Sequence, residues 1–317
     1  MDAQFSETQN MTGDVRGIKI PVKWDQIKHD GPLPEKFYRF RSITPDSIDR
    51  LINFEILEEG IFLSGLKDLN DPNEGRFLIK FDGNATQIYQ YWIKLLRKAW
   101  PNELPVRISQ EAKRRRNLIL QNNLVPPDEV IEYIIKVMGI TVRAACFAID
   151  WSNSAMWAHY AKFTGSAGEN IDHGGICIEY QCDDSWRNIN LHPIVYSNDI
   201  PIINSLKVHK NELELVKTSY TKTLEWNYEN EWRITCVLKS PTNDQMDLIT
   251  NPKIHSKIAD ASKIYVERSI ISIIFGLNAT NETILKFKND ILRKKPNFKF
   301  RKITRNARSL KLELIDL

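Results

Sequence analysis

The chain has 317 residues, 42% apolar and 26% charged, and a net charge of +4. Those proportions fit an ordinary globular protein long enough to bury a sizeable core, and they exclude a disordered or fibrous chain. No run approaches the ~20 apolar residues of a membrane span. The polar opening "MDAQFSETQNMTGDVRG" lacks the apolar stretch of a signal peptide, so a cytoplasmic protein with no membrane attachment is expected. The mild positive charge permits nucleic acid as a partner without requiring it.

In chain order, residues 1–30 read as a weakly ordered N-terminal arm and 31–317 as a single α+β domain. "KFYRFRS" reads as a strand. "TPDSIDRLINFE" follows as a helix, with Thr44 as N-cap and Pro45 in the first turn. "GIFLSGL" reads as a short strand running into the turn-rich "KDLNDPNEG". From about 84 to 139 apolar residues recur at helical spacing, which predicts a helical insertion. Strands return at "TVRAACFAI" and "GGICIEY", on either side of a helix around "NSAMWAHYAKF". A long polar helix is expected over 204–223, then one strand over 224–238. The tail reads as strand "SIISIIFGL", a helix over 281–293, and closing strands "FKFRK" and "LKLELI". The sum is a mixed or antiparallel sheet core with a helical insertion.

The strand predicted at "LEWNYENEWRITCVL" alternates with period two. Tyr228, Trp232, Ile234 and Cys236 fall on one face, and Glu229, Glu231, Arg233 and Thr235 on the other. Two carboxylates on alternate positions of a strand repel unless a cation or proton lies between them. Either Arg233 and a lysine from a neighbouring strand neutralise a solvent-facing surface, or the aromatic surround marks a pocket. On "FYRFRS", Arg39 and Arg41 share a face with Phe37, a pattern suited to a phosphate or carboxylate ligand. An ion pair with Glu229 or Glu231 is the compatible alternative.

In "NDPNEG", Asp71 and Glu74 sit on a tight turn that an Asx-turn explains more simply than metal ligation. His159 and Tyr160 diverge by about 100° on their helix and cannot both face one ligand. The basic run 113–116 reads as a solvated helix face, with a nucleic-acid footprint as the minor alternative. The four cysteines, Cys146, Cys177, Cys182 and Cys236, have no metal-ligand spacing and read as small hydrophobes in a reducing compartment. No metal site is expected.

Taken in order, "YRFRS", "NDPNEG", "MWAHYA" and "W-N-YENEWRI" resemble a bacterial family of domains of unknown function, over roughly 37–275. More distantly, the order of elements resembles ADP-ribosyltransferases. That resemblance implies an arginine on the first core strand that binds NAD, a serine or tyrosine beside the nicotinamide, and an E-x-E on a late strand. The matching positions are Arg39 or Arg41, Ser64 and Tyr160, and Glu229 with Glu231. The S-T-S of the family is absent, and Tyr160 falls on a helix rather than a strand. The resemblance implies an NAD-dependent ADP-ribosyltransferase with NAD as co-substrate and a macromolecular acceptor, acting as a toxin or in phage defence. Two rivals stay open. One is a metal-dependent nuclease using Asp71, Glu74, Glu229 and Glu231; the other is a non-enzymatic sensing or scaffold module in which Arg41 and Glu231 simply pair.

Overall fold

The computed structural model describes residues 12–15, 18–23, 31–122, 124–125, 129–184, 186, 189, 191–204, 206, 213–238, 263–265 and 269–317. The strands of its two main sheets are, in chain order, β1 (Thr12–Val15), β2 (Ile18–Lys23), β3 (Lys36–Arg41), β4 (Ser64–Gly65), β5 (Val142–Phe147), β6 (Ile176–Gln181), β7 (Leu191–Pro193), β8 (Trp232–Leu238), β9 (Ile270–Phe275), β10 (Lys299–Arg305) and β11 (Leu312–Asp316). The first sheet runs β1-β2-β8-β5-β4, with β7 also paired to β8. All of its pairings are antiparallel. The second runs β11-β10-β9-β6-β3 and is mixed, because only β9 and β10 are parallel. The fold is α+β, as the pattern predicted.

The sheets touch where Tyr38 of β3 and Ala148 exchange both backbone hydrogen bonds at 2.8 Å. The main core lies between them. Phe37, on β3, packs against Trp186, Phe147 and Trp232 with ring centroids 5.4–5.8 Å apart. Each such ring contributes roughly 1.5–3 kcal/mol by leaving water. Tyr38 and Phe40 point the other way, into a second cluster with Met156 and Trp157. β3 is therefore apolar on both faces except at Arg39 and Arg41.

The helices are α1 (Pro45–Arg50), α2 (Ala85–Ala99), α3 (Pro105–Asn122), α4 (Glu129–Thr141), α5 (Ser154–Tyr160), α6 (Leu213–Thr218) and α7 (Asn281–Leu292). α2 to α4 are the expected insertion. They cover the far face of the first sheet, burying Trp92, Leu96 and Ala112 with Val142 and Ala144 of β5. The basic run of α3 is only partly solvated. Arg115 is buried, with its guanidinium 4.6 Å from the Trp92 ring centroid, and Arg114 pairs with Glu111. Among the described residues no helix is long and apolar enough to cross a membrane.

α1 starts where the sequence says it should. Thr44 Oγ1 accepts from Ser47 N at 3.1 Å and Ser47 Oγ accepts from Thr44 N at 2.8 Å, a reciprocal capping box. Replacing Thr44 by alanine should lower the unfolding free energy by about 1 kcal/mol, read as a shift of the urea midpoint at constant slope. α1 runs directly into a π-helical stretch, Leu51–Leu57, that carries a fully buried Glu55.

Four expectations need correction. The N-terminal arm is not featureless, since β1 and β2 form a hairpin that extends the first sheet through β8. "GIFLSGL" is not one strand: Gly60–Phe62 pairs with Lys263–Tyr265, whereas Ser64–Gly65 joins β5. The long helix over 204–223 is replaced, in its described part, by strand Ile202–Asn204, helix α6 and strand Thr221–Lys222. Most of 205–212 lies outside the described residues. Finally, 224–238 is two elements. Leu224–Glu229 is a 3-10 helix, Asn230 takes the left-handed conformation (φ 44°, ψ 50°), and only then does β8 begin. Asparagine tolerates that conformation better than most residues, and the helix ends there.

Candidate functional site

Glu229 and Glu231 owe their nearness to the Asn230 turn, not to the pleat of a strand. Glu229 ends the 3-10 helix, and the helix is tied down from α5: Asn153, the N-cap of α5, donates Nδ2 to the Tyr228 carbonyl at 2.6 Å. Glu231 precedes β8, with its backbone N–H donating to the Tyr196 hydroxyl at 2.8 Å. Both are about 96–97% buried. The cation that two neighbouring carboxylates demand is Lys222, on the short strand paired with Val195–Tyr196. Its Nζ lies 2.5 Å from Glu229 Oε2 and 2.8 Å from Glu231 Oε2.

The network continues inward. Arg233 Nε donates to Glu231 Oε1 at 2.8 Å, and Arg233 Nη1 reaches Glu74 Oε1 at 2.5 Å and the Ser219 carbonyl. On the outer side, the Tyr160 hydroxyl donates to Glu229 Oε1 at 2.5 Å and accepts from Asn70 Nδ2. The neutralising lysine and arginine imagined for a solvent-facing surface are both present, but buried.

Burial alone would raise the Glu231 carboxyl. Arg233 and Lys222 overrule it and hold the group down to about 2. Glu229 goes the other way, raised by burial despite Lys222, and Glu74 is raised by burial despite Arg233. The signs have a consequence for stability. Glu231 titrates below its ordinary 4.5 in the folded chain, so its contribution is full above about pH 4.5 and is lost as pH falls toward 2. Glu229 and Glu74 oppose folding when ionised, and that opposition disappears on protonation. Across that window the stability gap between the wild type and Glu231→Gln should therefore shrink as pH falls, as urea unfolding at several pH values would show.

Across from these acids stand Arg39 and Arg41. Neither pairs with Glu229 or Glu231. Arg41 Nη2 lies 2.6 Å from Glu55 Oε1, and Arg39 Nη1 lies 3.9 Å from Glu55 Oε2 while its Nη2 donates to the Phe62 carbonyl at 2.8 Å. Two guanidinium groups thus share one carboxylate. Arg39 Nη1 and Arg41 Nε have no hydrogen-bond partner.

One cavity of about 250 Å³ collects these groups: Arg39, Arg41, Ser64, Tyr160, Glu229 and Glu231 all line it, as do Lys222, Arg233 and Cys146. It sits at the seam between the sheets. The expectation that Arg41, Ser64 and Glu231 lie on neighbouring strands of one sheet is corrected accordingly. Ser64 and the β8 region share the first sheet, while Arg41 belongs to the second. His159 is exposed next to Tyr160, as their divergence required.

The other readings meet specific geometry. Asp71 Oδ1 accepts from Asn73 N at 2.8 Å, the expected Asx-turn. Glu74 is bound to Arg233, and Lys222 fills the space between Glu229 and Glu231. Among the described residues no group of three or more His, Cys, Asp or Glu could hold a metal ion. Sequence reasoning missed Glu55 and Lys222. Glu55 did leave a signal, as a lone acid inside the apolar run "LINFEIL". Lys222 left none, because only the tertiary fold brings it to the glutamates. Comparison with protein-family models, with curated proteins and with solved structures gave no match to this chain.

Proposed function

We propose that the seam cavity binds an anionic nucleotide, with NAD as the co-substrate, and that the chain is an NAD-processing enzyme of the ADP-ribosyltransferase type. The observation that carries this reading is a single cavity with under-neutralised arginines on one wall and two unlike glutamates on the other. Arg39 and Arg41 suit phosphate oxygens, through charge-assisted and bidentate hydrogen bonds that Glu55 only partly uses. Breaking the nicotinamide–ribose bond sends the bonding pair off with nicotinamide and leaves positive charge on the ribose. Glu231, kept ionised by Lys222 and Arg233, is placed to oppose that charge. Glu229, with its carboxyl raised, suits the proton-accepting role toward the attacking hydroxyl or water. Environments that push two carboxyls apart in this way are how one site assigns separate acid–base and electrostatic tasks.

The acceptor in this reading is a macromolecule, with nucleic acid among the candidates, and the biological role is that of a bacterial toxin or phage-defence effector. The test is nicotinamide release from NAD by the purified chain with no metal added. Release that is lost in Glu231→Gln supports the reading, whereas turnover of nucleic acid that requires Mg²⁺ or Mn²⁺ would favour the nuclease. One observation favours the scaffold instead: both Glu231 carboxylate oxygens are already taken by cationic donors. In that case Glu231→Gln would change stability alone.

A further inference from the structure

A second cavity, of about 240 Å³, lies beside the first. Asp71, Asn73, Ser197, Asp199, Thr221 and Lys222 are among the residues that line it, and Lys222 lines the first cavity as well. The Lys222 ammonium is committed to Glu229 and Glu231. Asp71 is different. It is 3% exposed, its Oδ1 takes only the Asn73 backbone N–H, and its Oδ2 has no hydrogen-bond partner. Among the described residues no cationic side chain pairs with it. Arg76, on the same turn, directs Nη1 to Asn73 Oδ1 at 3.0 Å instead. Buried carboxylates are ordinarily matched by a cation and by donors to both oxygens. Here the fold leaves one open, against a cavity.

We propose that this second cavity is a binding site for an aliphatic ammonium group, received by Asp71 Oδ2. An ammonium supplies the missing charge and an N–H donor together. Its other N–H groups have acceptors in the hydroxyls of Ser197 and Thr221, which line the same space. A neutral hydroxyl would satisfy Oδ2 but leave the charge unmatched. The site stands apart from the nucleotide reading and does not depend on it.

The test is calorimetric titration of n-propylammonium chloride into the full chain near neutral pH. Tetramethylammonium chloride, which has the same charge and no N–H donor, is the control. Saturable binding of propylammonium but not of tetramethylammonium is expected. In Asp71→Asn, which keeps an Oδ1 acceptor for the turn, affinity should fall by about tenfold to a hundredfold. Equal binding of the two cations, equal affinity in a folded Asp71→Asn variant, or no binding at all would overturn the proposal. If the variant does not fold, the wild-type comparison of the two cations decides alone.

Discussion

Arg233→Ala is expected to lower the unfolding free energy by about 3–5 kcal/mol, among the largest single effects available in this chain. Arg233 is fully buried and bonded to Glu231, to Glu74 and to the Ser219 carbonyl. Its removal leaves Lys222 as the sole cation among three buried carboxylates, and Glu74 must take up a proton to remain inside. The deletion also opens a cavity, so Arg233→Met is the better control, filling most of the volume without the charge. Both variants should lower the urea midpoint, with alanine the worse. Arg233→Lys should fall between them and the wild type, because it keeps the charge but cannot reach both glutamates with a planar fork. A loss under about 1 kcal/mol for Arg233→Met would show that the network contributes little beyond its packing.

Glu231→Gln is expected to reduce NAD turnover by on the order of a hundred- to a thousand-fold, the usual cost of losing one preorganised electrostatic contact. The fold should survive. Lys222 keeps Glu229, Arg233 keeps Glu74, and the glutamine oxygen still accepts a hydrogen bond, so a stability loss of about 1–3 kcal/mol is expected. Repulsion between the two acids is not what the change relieves, because Lys222 already lies between them. The measurement is nicotinamide release per folded molecule, with the folded fraction read from unfolding curves on the same sample. Activity that declines only with the folded fraction would remove Glu231 from the chemistry and leave it a strut.

The elements that could be read from sequence are those in which local signals and tertiary packing agree. Alternation on β3 placed Arg39 and Arg41 with Phe37 correctly, because both of its neighbours are strands and its pleat is undisturbed. The capping box of Thr44 and the helical spacing of α2 to α4 carried their own evidence. The reading of 224–238 as one strand failed for a definite reason. A period-two pattern persists by coincidence across a 3-10 helix and a left-handed Asn230, and no local propensity contradicts it. The site residues were legible as types, arginines and glutamates among aromatics. Their partners were not. Glu55 reaches Arg41 from a π-helical stretch 14 residues on, and Glu74 reaches Arg233 across 159 residues. Alternation along a strand says which side a residue faces, not what it meets there.

The most direct test of the nucleotide-binding cavity is calorimetric titration of NAD into the wild-type chain and into Arg41→Met, without added metal. Arg41 supplies one of the two guanidinium groups facing the cavity and bonds only Glu55 among charged groups, so its loss leaves the acidic network opposite intact. The account predicts saturable NAD binding to the wild type, weakened by about tenfold or more in a folded Arg41→Met protein. Absence of binding to the wild type, or equal affinity in the variant, would contradict it.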